Sequence, residues 1–572
     1  MTNKNLSKIY IKPNESVKTA LKLLTDNRPI KTSVPGGIVL VVDKNQKLLG
    51  VATDGDIRRA LSRGESLNGS ISKIMNKEPF VVEGPKTSTE ILSLAVEKIR
   101  KENFYKDRLN KIIIVNKDKQ VIDLISFYDL WQHSDVRFKQ IGVVGLGYVG
   151  LTLALTLADL GFQVRGFDAN KDVQASLKAG KPHFFENGLK EILKDNLNKN
   201  FQVADNFRGI NNCDIYFIAV GTPLQKDNKP NTNYLKQATE QIGKVLKNGD
   251  AIILRSTVPI GITRNFVVPN LEKVSGLKAG HDFFVAFAPE RTIEGKALQE
   301  LRTLPQVIGG INRSSTNLAA SVFNYITHST VLVDSLEEAE ITKLINNTYR
   351  DVTFAFSNEL SLMCHHFGID THRVIEAANR GYSRSNVPLP SPGVGGACLE
   401  KDPFILLESA RTKNLNPLLL QHARTVSDMM VDFVADETLK FIKNHKTTIK
   451  NPKILILGFA FKGHPETSDM RGSTTTPLVK KLQKEVRNIY GHDPVVKRSD
   501  ITALKVKYVS DIKKGFEGAD AVVIMNNNPT FETLNIRALL SSANKPCFLF
   551  DTWGLYGREE INKVKGVEYK KL

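Results

Sequence analysis

Residues 139–168, KQIGVVGLGYVGLTLALTLADLGFQVRGFD, leave few folds open to this chain. The apolar, β-branched run 141–144 predicts a short buried strand. Gly145, Gly147 and Gly150 follow as G-x-G-x-x-G, then a helical spacing of Leu151, Leu155 and Ala158 that stops at Gly161. A second strand, 162–167, ends in Asp168. Each part has a physical task. Gly145 permits a tight turn, Gly147 leaves room for a pyrophosphate against the backbone, and Gly150 lets helix and strand approach. The phosphates meet the free N–H groups of the helix start, with Tyr148 and Val149 in its first turn. The Asp168 carboxylate accepts from both ribose hydroxyls and repels a 2′-phosphate, which favours NAD over NADP. Three glycines alone can make an ordinary turn; strand, glycines, helix, strand and acid in this order predict dinucleotide binding.

A chain of 572 residues divides into about three or four domains, and 41% hydrophobic with 24% charged residues is ordinary for packed globular cores. No apolar run reaches membrane-spanning length, and no membrane partner is expected. The N-terminus lacks an apolar signal core, so the mature chain is expected to begin here. Cys213, Cys364, Cys398 and Cys547 lie far apart without a C-x-x-C pair. That spacing suggests neither a metal site nor a disulfide framework, and it fits a reducing cytoplasm. The net charge of +19 is scattered, with no basic run interleaved with aromatics. It argues for a surface that attracts anionic small molecules and not for a nucleic-acid partner.

Residues 1–136 precede the dinucleotide motif and form a separate unit with a degenerate internal repeat. In the first copy, helix 17–24 precedes strands 37–43 and 48–53 and a helix from Asp54. In the second, helix 89–100 precedes strands 111–116 and 121–126 and a helix from Phe127. GVATDGDIRR and VIDLISFYDLW carry the repeat, which resembles a pair of cystathionine-β-synthase (CBS) domains. The resemblance implies a regulatory unit that binds an adenine nucleotide between its halves. Thr53, Asp56, Ser126 and Asp129 fall on its hydroxyl and ribose-carboxylate positions. The plainer reading makes these residues helix N-caps.

From 138 to 334 strands and helices alternate as a doubly wound parallel sheet requires, with strands at 214–220, 251–255, 283–288 and 306–310. Ligands bind at the carboxyl ends of such strands, so the turns GTPLQKD and STVPIGITR should face the cofactor. They place Gly221, Thr222, Pro223, Ser256 and Thr257 there. Residues 335–443 read as helical, 443–453 as a linker, and 450–572 as a second α/β unit whose first turn is GFAFKG. The expected fold class is therefore α/β: a CBS pair, then two Rossmann-like domains joined by a central helical segment.

GLGYVG, VGTP, STVPIG, APER with EG, EAEITKLINNTYRDVTFAFSNE, GVGGACLEKD, and LGFAFKG with DMR occur in this order after residue 138. Together they resemble the UDP-sugar 6-dehydrogenases. The resemblance implies an NAD-dependent, four-electron oxidation of the sugar C6 alcohol to a carboxylate, in polysaccharide biosynthesis. The aldehyde formed first must be held, and a cysteine does so as a thiohemiacetal and then a thioester. Cys398 follows Gly395, Gly396 and Ala397, small residues that let substrate approach, and it lies four residues before Asp402. Cys213 and Cys364 read as small buried hydrophobes.

Lys343 and Asn347 stand four apart in a helix and share a face, where Leu344 and Ile345 suggest partial burial. The resemblance makes them stabilise the developing C6 alkoxide, with Lys343 lowering the pKa of a nearby thiol. It makes Asp402 with Thr257 a water-holding pair and Glu290 a general base; the plainer role for Glu290 is a salt bridge to Arg291. Substrate contacts implied by the resemblance are Glu290, Arg291, Lys343, Asn347, Gly395, Lys462 and Arg471, with Arg384 reaching a diphosphate in a neighbouring subunit. The central helices, with Leu418, Leu419, Leu420, Val426, Met429, Met430 and Phe433, imply a homodimer or higher homo-oligomer. GVGGACLEKD mixes features of two subgroups, and the length after APER leans to UDP-N-acetylmannosamine or UDP-N-acetylglucosamine as substrate. The alternatives are a UDP-glucose 6-dehydrogenase, a two-electron 3-hydroxyacid-type dehydrogenase, and a non-catalytic nucleotide-sensing relic.

Overall fold

The computed structural model describes residues 6–26, 37–84, 111–126, 139–396 and 398–572, with the single positions 86, 91, 94 and 136. The chain divides into two compact units, one of Met1–Phe138 with Lys247–Asp250 and one of Lys139–Leu246 with Ala251–Leu572.

In the first unit, strands β1 (Tyr10–Ile11), β2 (Ile38–Val42) and β3 (Leu48–Thr53) form one sheet, and β4 (Val81–Glu83), β5 (Lys111–Val115) and β6 (Val121–Ser126) form another. The internal repeat is visible in the register. Each sheet pairs its first strand parallel and its third antiparallel to the middle one, with a register shift at Val41/Val42 and at Ile114/Val115. The hairpin turns match as well: the Asp43 carboxylate accepts from Asn45 and Lys47 N–H, the Asn116 side-chain oxygen from Asp118 and Gln120 N–H. The two turns meet, the Leu48 N–H donating to the Lys119 carbonyl at 2.9 Å. One core holds Ile38, Leu40, Val42 and Val51 of the first copy with Ile113, Val115, Val121 and Leu124 of the second. Of the helix expected at 89–100 only positions 91 and 94 are described, both helical, and the start of the helix expected from residue 127 lies outside the described residues.

In the second unit, strands β7 (Gln140–Val144), β8 (Gln163–Phe167), β9 (Phe201–Val203), β10 (Ile215–Ile218), β11 (Ala251–Leu254), β12 (Phe284–Phe287), β13 (Gln306–Gly310) and β14 (Thr330–Val333) form one sheet. Its order is β14-β13-β12-β11-β10-β7-β8-β9, parallel except between β12 and β13. β7 and β10 flank the point where the winding reverses, the place where such sheets hold a dinucleotide. The strands are apolar on both faces, as sheets covered by helices on both sides require.

A second sheet, of six strands, holds β15 (Lys453–Leu457), β16 (Asn488–His492), β17 (Lys507–Tyr508), β18 (Ala521–Ile524), β19 (Cys547–Asp551) and β20 (Val567–Lys571) in the order β17-β16-β15-β18-β19-β20, all parallel. Two long helices that pack on each other connect the sheets: Leu336–Phe367, capped by Ser335, and Leu418–Asn444. Leu336 and Ala339 belong to the core of the first sheet, whereas Met430, Val431, Val434 and Ala435 belong to that of the second. The helices thus fix the two sheets across a shared cleft.

Candidate active site

The glycine turn has the shape its spacing demands. Gly145 is left-handed at φ +90, and a Cβ there would meet the Ala219 carbonyl oxygen at 2.8 Å. A Cβ on Gly150 would stand 1.8 Å from the Gly145 carbonyl oxygen, whereas one on Gly147 would meet nothing within 4 Å. Gly147 caps helix Tyr148–Asp159 with no side-chain hydrogen bond, so the cap side chain satisfies none of the first-turn N–H groups. The Asp168 carboxylate is held beside them, accepting from Leu146 N–H at 2.7 Å and Asn170 N–H at 2.8 Å. Arg165 and Lys171, the nearby cations, bond the Gly209 and Asp205 carbonyls. A cradle without Cβ atoms, uncapped N–H donors and an oriented carboxylate fit NAD.

From β10 and β11 come the two expected turns, stitched together. Ser256 donates to the Val220 carbonyl at 2.7 Å and Thr222 to the Thr257 carbonyl at 2.5 Å. Nothing meets a Cβ at Gly221 within 4 Å, which leaves that turn open to a ligand. Lys401 Nζ links this pair to the next part of the site, 3.3 Å from Thr222 Oγ1 and 3.5 Å from Asp402 Oδ1.

Asp402 begins helix Asp402–Arg411 and is fully buried. Its Oδ2 accepts from Asn347 Nδ2 at 2.6 Å, while Oδ1 accepts no hydrogen bond from the described residues and keeps its acceptor capacity for a small polar molecule. Lys343 and Asn347 are both buried on one face of helix Leu336–Phe367; Leu344 is buried with them, and Ile345 turns to the surface instead. Cys398 is exposed as a residue, while protein surrounds its thiol. Burial raises its pKa above the ordinary value; Lys343 and Lys401 lower it, and Asp402 and Glu294 raise it. The expected effect of Lys343 is present, but desolvation outweighs it, so the net shift is upward.

The cysteine loop is clamped from the C-terminal sheet. Gly396 N–H donates to the Gly472 carbonyl at 3.0 Å. A Cβ on Gly395 would fall 2.3 Å from that oxygen, and one on Gly396 2.7 Å from the Phe461 ring. Gly472 adjoins Arg471, which interacts electrostatically with Cys398, and Phe461 adjoins Lys462. Lys462 Nζ donates to the Glu294 carbonyl at 2.6 Å, and burial pulls its pKa down to about 8. Arg471 is paired with Asp469 at 2.6 Å and lies 3.8 Å from the Glu294 carboxylate.

Glu290 requires a correction. Its partner is not Arg291 but the fully buried Arg255, bound through Nη2, while its other oxygen accepts from Arg291 N–H at 2.7 Å and Thr292 N–H at 2.8 Å. Burial opposes its charge, but Arg255, the Thr292 N–H and Lys343 together hold its pKa below the usual value. A carboxylate so paired is held in place as a counter-ion to Arg255. The Arg291 guanidinium reaches the Pro305 carbonyl.

Four residues on, the unassigned Glu294 stands in a different setting. Burial and Asp469 push its carboxyl up to about 7, against Arg471, Lys462 and Thr467, and it acts on the Cys398 thiol. The sequence carries faint signals for both residues: Arg255 is the one charge closing the apolar run AIILR, and Glu294 precedes the left-handed Gly295. Arg384 is not part of this cleft. It stacks on Tyr382 at 4.8 Å and lines a cavity of about 460 Å³ with Tyr349, Phe356, Leu419 and His422.

Comparison with known proteins agrees with this layout. Residues 139–327, 337–429 and 455–558 match the NAD binding, central and UDP binding domains of the UDP-glucose/GDP-mannose dehydrogenase family, and residues 4–63 match the CBS domain. The chain is 33% identical over 399 residues to a UDP-N-acetyl-D-mannosamine dehydrogenase of Pyrococcus horikoshii, covering 69% of this chain and 91% of that protein. It is 31% identical over 406 residues to a UDP-N-acetyl-D-glucosamine 6-dehydrogenase of Pseudomonas aeruginosa, covering 70% and 94%. Among solved structures it is similar to the UDP-D-ManNAc dehydrogenase of P. horikoshii, with TM-score 0.69, 30% identity and coverage of 76% of this chain and 98% of that one. A UDP-glucose dehydrogenase from Pyrobaculum islandicum aligns with TM-score 0.65, 26% identity and coverage of 76% and 97%. The chain belongs to the UDP-glucose/GDP-mannose dehydrogenase family, as an NAD-dependent member with a CBS domain ahead of its dehydrogenase unit.

Proposed function

We propose that the chain oxidises the C6 hydroxyl of UDP-N-acetylmannosamine or UDP-N-acetylglucosamine to the carboxylate, in the cytoplasm. The observation that carries this reading is the exposed Cys398 set among Lys343, the Asn347–Asp402 pair and Glu294. Lys343 and Asn347 stabilise the negative charge that develops on the C6 oxygen as its proton leaves. Bound NAD supplies the hydride acceptor for each of the two oxidations. Between them the Cys398 sulfur adds to the aldehyde carbon as the thiol proton passes to the aldehyde oxygen, and loss of the second hydride together with that hydroxyl proton leaves a thioester. Water then attacks the carbonyl, the C–S bond breaks, and the thiol is restored. Asp402, through its buried Oδ1, holds that water near Thr257, and Glu294 takes its proton. Lys462 and Arg471 neutralise the UDP diphosphate. Arg384 serves a neighbouring subunit across the exposed face of the central helices.

The test is a panel of UDP-sugars offered with NAD while NADH is counted per sugar consumed. Two equivalents with an N-acetylhexosamine are expected, and Cys398→Ser should lose acid formation yet still bind NAD. One equivalent, or a preference for UDP-glucose, would overturn the reaction or the sugar respectively.

We further propose that an adenine nucleotide binds the N-terminal unit and shifts activity. Thr53 and Asp56 supply a hydroxyl and a carboxylate, joined at 2.7 Å in a capping box at the start of helix Asp54–Ser62, so they also fill the plainer N-cap role. The side chains of Ser126 and Asp129 lie outside the described residues. A chain beginning at Lys139 should keep its turnover and lose the response to ATP, ADP or AMP. If none of these raises the melting temperature of the full chain, the nucleotide role should be dropped.

A further inference from the structure

A buried glutamate outside the reacting cleft joins two segments that carry proposed catalytic residues. Glu340 lies on the Lys343 face of helix Leu336–Phe367, one turn before Lys343 and two before Asn347, and is 1% exposed. Its carboxylate accepts from Gly261 N–H, from Thr263 N–H at 2.9 Å and from the Thr263 hydroxyl at 2.5 Å. These donors end the turn after β11, the one that carries Ser256 and Thr257. They also begin the irregular helix Thr263–Val267, which has no side-chain cap of its own. Gly261 turns its N–H to the carboxylate from a left-handed backbone, φ +86. The same turn is held once more, by Ile260 N–H donating to Ser409 Oγ at 3.0 Å, and Ser409 stands on the helix that Asp402 begins.

Every group facing the two Glu340 oxygens is a donor, so an acceptor-only carboxylate fits and an amide does not. A glutamine would set its NH₂ against an N–H and leave a buried donor unpaired. Charges that act on Glu340 include Glu337, ion-paired with Arg264 at 2.7 Å, and Arg264 itself, neither hydrogen-bonded to Glu340. The carboxylate therefore spends its hydrogen-bonding capacity on the turn.

We infer that Glu340 is a positioning residue for the oxidation, locking the turn that carries Ser256 and Thr257 to the helix that carries Lys343 and Asn347. The inference rests on the dehydrogenase reading, which wild-type NADH formation tests separately. Freed from Glu340, the turn would shift Thr257 and the Ser256 side of the cofactor site relative to Lys343. The UDP contacts at Lys462 and Arg471 would be untouched.

Steady-state kinetics with NAD and the preferred UDP-sugar decide the matter. Glu340→Gln should lower kcat about tenfold and raise KM for NAD, with KM for the UDP-sugar within about twofold of wild type. Thr263→Val, which removes one donor without burying a new polar group, should lower kcat about threefold, and Thr263→Ser should restore it. A purely structural role would lower the melting temperature and leave kcat per folded enzyme unchanged; that result in either variant overturns the inference. If Glu340→Gln does not fold, kcat of the two Thr263 variants decides between the positioning and the purely structural role.

Discussion

Glu290 and Glu294 stand on one short segment, and the cation each meets separates their chemistry. Arg255 pins Glu290 as an anion, whereas Glu294 has only looser neighbours and a carboxyl near 7. A base works when deprotonated, so hydrolysis of the thioester should rise with pH through about 7 as Glu294 ionises. Glu294→Gln should remove that limb of the profile while the first hydride transfer persists; rapid-quench measurement of NADH and acid across pH 6–8 would show it. An unchanged profile would return the base to another group. Cys398, Lys343, Asn347 and Asp402 are legible in the sequence because each sits in a short motif. The Arg255 partner of Glu290 is not legible, because a buried ion pair between two strand ends is decided by tertiary contact.

At the scale of elements, two glycines of one motif carry opposite burdens. Gly150 faces the Gly145 carbonyl at a distance no Cβ can share, whereas Gly147 faces open space. Gly150→Ala should therefore destabilise the fold by about 3 kcal/mol or more, read as a large drop in melting temperature. Gly147→Ala should leave that temperature near wild type and weaken NAD binding, measured by titration. Equal effects on stability would mean that the space at Gly147 serves no ligand. The strand–glycine–helix–strand run is legible because each step has its own periodicity or turn chemistry. The short edge strands β9, β14, β17 and β20 are not, since two to five residues carry too little pattern. Interlocking of the GVGGACL loop with Gly472 and Phe461 is also hidden, because it joins segments remote in sequence.

At the scale of the molecule, the central helices leave an apolar face uncovered. Tyr349 is 69% exposed, Phe367 76%, Leu418 58% and Leu419 68%, whereas Met430 is fully buried and Phe433 packs inward against Phe550. The expected surface is thus correct for Leu418, Leu419 and Met429 but not for Met430 and Phe433. Facing side chains of helix Leu336–Phe367 extend it instead. Such a face predicts a two-fold dimer, and sedimentation at micromolar concentration should find no monomer. Leu419→Glu should shift the protein toward monomer and impair activity if Arg384 serves the partner's substrate.

The shared register and common core of the two hairpins in the N-terminal unit have a consequence for inheritance. Leu40 and Val42 of one copy are covered by Ile113 and Val115 of the other, and their turns are hydrogen-bonded. A deletion that removed one copy would strand the apolar side of its twin in water. Neither copy covers its own apolar side, so the module is expected to be kept or lost whole.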